Sequence, residues 1–114
     1  MDFLTVGFDE KFQKTIEKMA ETGEVYLIVK EYSGNGHYQT IERELFSSIE
    51  DVKNEINRAK ADCACMGKWA YMHEHWSENN LEVNAEPELI YEKFYKRHGE
   101  GDDLVETAYV IRLR

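Results

Sequence analysis

The chain has 114 residues, with 14 Lys and Arg against 23 Asp and Glu and a formal charge of −9. This length suits one folding unit over residues 1–114, and seven tyrosines, five phenylalanines and two tryptophans supply buriable area that a disordered chain lacks. The acidic balance repels phosphate backbones, and the longest apolar run, residues 25–29, is far below the roughly 18 residues of a membrane helix, so neither direct nucleic-acid binding nor membrane insertion is expected.

The opening MDFLTVGFDEK carries Asp2 and no base before Lys11, unlike a secretory signal, and a cytoplasmic location is expected. Phe8, Phe12, Ile16 and Met19/Ala20 recur at helical spacing between a capping Asp9 and a terminating Gly23, which predicts a first helix. From Glu24 the period changes to two: Val25, Leu27 and Val29 alternate with Tyr26, Ile28 and Tyr32, as in a strand. Ser33-Gly34-Asn35-Gly36 then reads as a hairpin turn into a second strand over residues 37–46, with Ile41 and Leu45 inward. Ser47 with Glu50 forms a capping-box pattern, and Ile49, Val52, Ile56, Ala59, Cys63, Met66, Ala70 and His73 keep a three-four spacing, so a second helix is predicted to about Trp76. Gly67 opposes it at about 1 kcal/mol, and residues 68–76 also suit a short strand. A polar loop over residues 77–88 holds the lone proline, Pro87. Residues 89–98 and 104–113, joined by a glycine-bearing turn, read as a second hairpin.

The expected fold is α+β in the order α-β-β-α-β-β, an antiparallel four-stranded sheet with both helices on one face. Residues 25–56, VYLIVKEYSGNGHYQTIERELFSSIEDVKNEI, resemble a strand, turn, strand, Phe-Ser-Ser, helix pattern common among short accessory proteins of phages and mobile elements. In size and charge the chain is also similar to small acidic phage proteins that block host defence, anti-CRISPR proteins among them. That resemblance carries over no functional residue.

Candidate chemistry is sparse. Cys63-x-Cys65 and His73-x-His75 place four zinc-competent side chains within thirteen residues. On a helix, however, residues two apart point about 200° apart, so each pair offers one ligand, and the expectation is reduced thiols without metal or cofactor. No nucleophile elbow, phosphate-cradling loop or helical His-x-x-x-His pair occurs, and no catalytic residue is assigned. Trp69, Tyr71, Trp76, Tyr91 and Tyr95 suit a core, a protein interface or a ligand pocket. Residues 74–106 hold ten acids against Lys93, Lys96 and Arg97. Glu74, Glu78, Glu82, Glu86 and Glu88, with Glu100, Asp102, Asp103 and Glu106, are expected to form one negative face beside Trp76 and Tyr91. Such a face suits a protein partner with a basic surface and reads as a non-enzymatic interaction module, including an inhibitor of a nucleic-acid-binding or host-defence protein. A small-ligand or nucleotide-binding domain is the alternative, and a small enzyme or zinc-stabilised module the third.

Overall fold

A computed structural model describes residues 9–34, 38–66, 70–96 and 103–114. The expected Asn35-Gly36 turn, Gly67, Lys68, Trp69, Glu100, Asp102 and the side chain of Asp103 lie outside the described residues. The elements are α1 (Glu10–Ala20), β1 (Tyr26–Gly34), β2 (Tyr38–Phe46), α2 (Ile49–Cys65), β3 (Ala70–Glu74), β4 (Glu88–Lys96) and β5 (Asp103–Arg112). All five strands form one antiparallel sheet in the order β2-β1-β5-β4-β3. The class is α+β as expected, but the sheet has a fifth strand, and α2 ends at Cys65 rather than near Trp76.

The correction falls on residues 66–76. Met66 ends α2, its N–H reaching back to the Cys63 carbonyl at 3.2 Å. From Ala70 the backbone is extended, and β3 covers the outer edge of β4 from Ala70 opposite Tyr95 to Glu74 opposite Tyr91. Strand pairing there satisfies the backbone groups of β4 that a helix would leave open, and it outweighs the three-four spacing of Met66, Ala70 and His73. The start of α2 is also one residue later than expected: Ser48, not Ser47, accepts the Asp51 N–H at 3.2 Å.

Because β2 and β3 are opposite edges and α2 connects them, the helix lies across one whole face of the sheet. Val52, Ile56 and Ala59 of α2 pack on Tyr26, Ile28, Tyr91, Ala108 and Val110. Phe46, Ile49, Met72, Trp76 and Leu81 close the margins of this core. Each buried Val or Ile there contributes about 1.5–3 kcal/mol.

The helices do not share a face. Phe12 of α1 packs against Leu27, Val29 and Ile111, the side chains that point away from α2. The cause lies in β1, whose Tyr26–Val29 segment is buried on both sides and needs cover on both. Asp9 caps α1 by accepting the Phe12 N–H at 2.7 Å. Leu45 joins this second cluster, whereas Ile41, expected inward, is exposed on the edge strand.

The loop over residues 77–88 is tied down. It contains a 3-10 turn, Glu78–Asn80, and Val83 forms a parallel bridge to Arg112. Asn84 adopts φ 57°, a left-handed conformation that asparagine tolerates, and donates its N–H to the Arg112 carbonyl at 2.7 Å. No helix among the described residues is long and apolar enough to cross a membrane.

Candidate functional site

Strand alternation places Tyr26, Ile28, Lys30 and Tyr32 of β1 on the helix-facing side. The register continues each row across the sheet. Ile28 lies beside Val110, Lys30 between Glu42 and Ala108, and Ala108 beside Tyr91. Tyr32 lies beside Glu106, and Glu106 beside Lys93. The helix-facing surface therefore changes from apolar beneath the first turns of α2 to charged beneath its last turns. There a cleft of about 190 Å³ opens between α2 and the sheet. It shares Lys30 and Glu42 with a groove of about 340 Å³ that runs along β2 past Arg43 and Glu44.

Two buried carboxylates organise the cleft. Glu55 sits on the inward stripe of α2, three residues after Val52 and four before Ala59. It accepts from the Lys30 ammonium and from Arg58 through Nε at 3.1 Å and Nη2 at 2.5 Å. Burial raises the affinity of Glu55 for a proton, but the hydrogen bonds from Arg58 and Lys30 outweigh it and hold the carboxyl below its ordinary value. Glu106 accepts the Tyr91 hydroxyl at 2.5 Å on one oxygen and the Tyr95 hydroxyl at 3.4 Å on the other. Burial, followed by the hydrogen bond and charge of Glu106, pushes the Tyr91 phenol far above its ordinary value. Burial and the same carboxylate also raise Tyr95 and Tyr32. The three phenols are fixed as neutral hydrogen-bond donors. At the mouth, Tyr32 donates to Glu42 at 3.2 Å, and Asp62 projects from α2.

Lys93 is the most unusual member. Its side chain is only 4% exposed, and Nζ lies 3.8 Å from Glu106 Oε1 and 5.2 Å from the centre of the Tyr95 ring. That ion contact is longer than a hydrogen bond. Among the described residues no fully enclosed side-chain nitrogen or oxygen lacks a partner. The Lys93 ammonium is therefore not fully enclosed, and its side chain lines the cleft.

The described acidic residues of segment 74–106 differ in their surroundings. Glu74 pairs with Lys60 at 2.5 Å and Glu78 with Lys53 at 2.7 Å, both lysines of α2. Glu88 accepts the Ser77 N–H at 3.1 Å. Glu82 and Glu86 are exposed on the loop. Tyr91 and Glu106 are buried in the cleft rather than displayed on a surface, and Trp76 packs on the core.

The Cys and His pairs also separate. Cys63 faces the sheet from α2 and Cys65 is exposed. His73 points to the opposite side of β3, where its ring lies 5.8 Å from that of His75. Cys63 and His73, expected on one helical stripe, are thus divided by the sheet. Among the described residues no group of three or more His, Cys, Asp or Glu side chains is arranged to hold a metal ion. On that far side Tyr71, 55% exposed, stacks on Phe94 with ring centres 4.8 Å apart, and His73 meets the edge of both rings.

The sequence reading passed over Lys30, Tyr32, Glu42, Glu55, Arg58 and Lys93. Four of the cleft charges, Lys30, Glu55, Lys93 and Glu106, share a signal readable from pattern alone: each occupies an inward position of an otherwise apolar or aromatic alternation. Comparison with protein-family models, curated proteins and solved structures returned no match to this chain.

Proposed function

We propose that the chain is a non-enzymatic binding protein that takes up a small polar ligand in the cleft between α2 and the sheet. The observation that carries this reading is Lys93: a side chain held at 4% exposure in the lining of the cleft, its ammonium no nearer than 3.8 Å to the Glu106 oxygen it faces. Desolvating such a charge costs several kcal/mol, and the single long contact to Glu106 offsets that only in part. A ligand acceptor in the cleft would meet that ammonium at hydrogen-bond distance. Binding is favoured over catalysis because the perturbed phenols move away from neutrality, whereas an acid-base catalyst needs a value near the working pH.

The test is thermal unfolding against a panel of small carboxylates, phosphates, amines and amino acids. A ligand at a hundred times its Kd stabilises by about 2.7 kcal/mol, and Lys93→Met should abolish the shift. A panel member that stabilises wild type and the variant equally binds elsewhere and counts against the cleft.

A second reading keeps the protein-interaction module with a basic partner, and rests on the exposed Tyr71–Phe94 stack flanked by Glu92 across from His73. A captured protein that is lost on Tyr71→Ser and retained by Lys93→Met would favour that surface over the cleft.

A further inference from the structure

The two ends of the cleft differ in what they leave available for bonding. At the inner end, both oxygens of Glu106 are committed to Tyr91 and Tyr95, and both oxygens of Glu55 to Lys30 and Arg58. What remains there are donors: the N–H groups of Lys93, and two of the three on Lys30, which makes one hydrogen bond to Glu55 among the described residues. At the mouth the balance is reversed. Glu42 is exposed and uses one oxygen, Oε2, for Tyr32, and Asp62 is exposed and receives no hydrogen bond among the described residues. Acceptors are in surplus there.

The charges agree with this polarity. The lining carries Lys30, Arg58 and Lys93 against Glu42, Glu55, Asp62 and Glu106, one negative charge in excess. A ligand that is only anionic meets repulsion at Glu42 and Asp62 on its way in. One that is only cationic leaves the inner ammonium donors without acceptors. A molecule with an anionic group at one end and an ammonium at the other satisfies both ends without adding net charge. The cleft of about 190 Å³ equals the liquid volume of about six waters, which is space on the scale of an amino acid.

Resting on the ligand-binding reading above, we infer that the ligand is a small zwitterion, its carboxylate inward on Lys93 and Lys30 and its ammonium outward between Glu42 and Asp62. The cleft discriminates by charge at both ends. It therefore selects against the single-headed carboxylate and the single-headed amine of the same length.

The experiment is a titration of the intact, isotope-labelled chain followed by nuclear magnetic resonance. The probes are ω-amino acids from glycine to 6-aminohexanoate, each with its matched alkyl carboxylate and alkylamine. The expected result is that one amino acid moves the signals of Lys30, Lys93 and Asp62 together and binds about tenfold to a hundredfold more tightly than either single-headed analogue, the range set by one charged hydrogen bond. Glu42→Gln with Asp62→Asn should remove that preference while leaving carboxylate binding in place. Both positions are exposed, so this variant keeps the test valid even if Lys93→Met perturbs folding. A carboxylate that binds as tightly as its amino acid, unaffected by the mouth variant, overturns the zwitterion and leaves the cleft standing. If no probe of the three classes moves the cleft signals, the zwitterion fails; if phosphates also leave them unmoved, the cleft reading fails with it.

Discussion

The interface between α2 and the sheet contains two kinds of interior side by side. Beneath Val52 and Ile56 it is an apolar core built on Ile28, Ile90 and Val110. Further along the strands, beneath Glu55 and Arg58, it is an ion-pair and phenol network around Glu106 and Lys93. The first half is held by area removed from water, which tolerates modest geometric change. The second is held by directed bonds between groups that resist burial, so it has few acceptable arrangements. The polar half therefore adds little net stability for its content of charge, because desolvating those groups offsets most of their mutual attraction.

The sharpest way to break the polar half is Glu106→Ala. This variant strands Lys93 as a buried unpaired charge and removes the acceptor of Tyr91, and a loss of about 4 kcal/mol is expected in urea unfolding. Ile56→Ala in the apolar half should cost about 3 kcal/mol, the transfer and cavity cost of a large-to-small core change. The two differ in their dependence on pH. The Glu55 carboxyl is depressed in the folded state, so its contribution is present above its ordinary value of 4.5 and is lost as pH falls through the lower folded value. Conversely, the raised phenols favour the folded state below their ordinary value of 10, and that contribution is lost as pH climbs above it. Unfolding curves across pH should show both limbs in Ile56→Ala and a shallower acid limb in Glu55→Gln; identical acid limbs would remove Glu55 from the account. The smallest effect belongs to the solvent-exposed pairs. Lys60→Ala, which releases Glu74, should cost less than about 1 kcal/mol. If Glu106→Ala proves no more damaging than Lys60→Ala, the polar half is not a coupled network.

Both hairpins were legible in the sequence because their alternation is long and the segments that join their strands are rich in glycine. The short strand β3 was legible only as an alternative: Met66, Ala70 and His73 continue the period of α2 while Gly67 opposes it, and pairing with the edge of β4 decides for the strand. The facing of α1 was legible in principle. An unbroken run, Val25 to Val29, fully buried in the fold, signals a strand covered on both sides, which two helices on one face do not provide. The ion pairs of the acidic segment were not legible, since proximity in sequence says nothing about which lysine of α2 lies opposite Glu74 or Glu78. Lys30, Glu55, Lys93 and Glu106 were visible as charges at inward positions. Their convergence depends on the β1–β5–β4 register, which joins segments some 75 residues apart in the chain.

The central place of β5 also bears on how the chain is made. It is the last of the five strands to be synthesised, yet it lies between β1 and β4. Until it emerges from the ribosome, the β1–β2 and β3–β4 pairs are separate two-stranded pieces, and isolated pairs of that size are marginal in water. Each also presents an unpaired edge to other chains. Assembly therefore waits for β5 and then proceeds through long-range pairing, a topology that folds slowly for its size. Until β5 is made those edges stay unpaired, and transient cover of them by a chaperone would act at that stage.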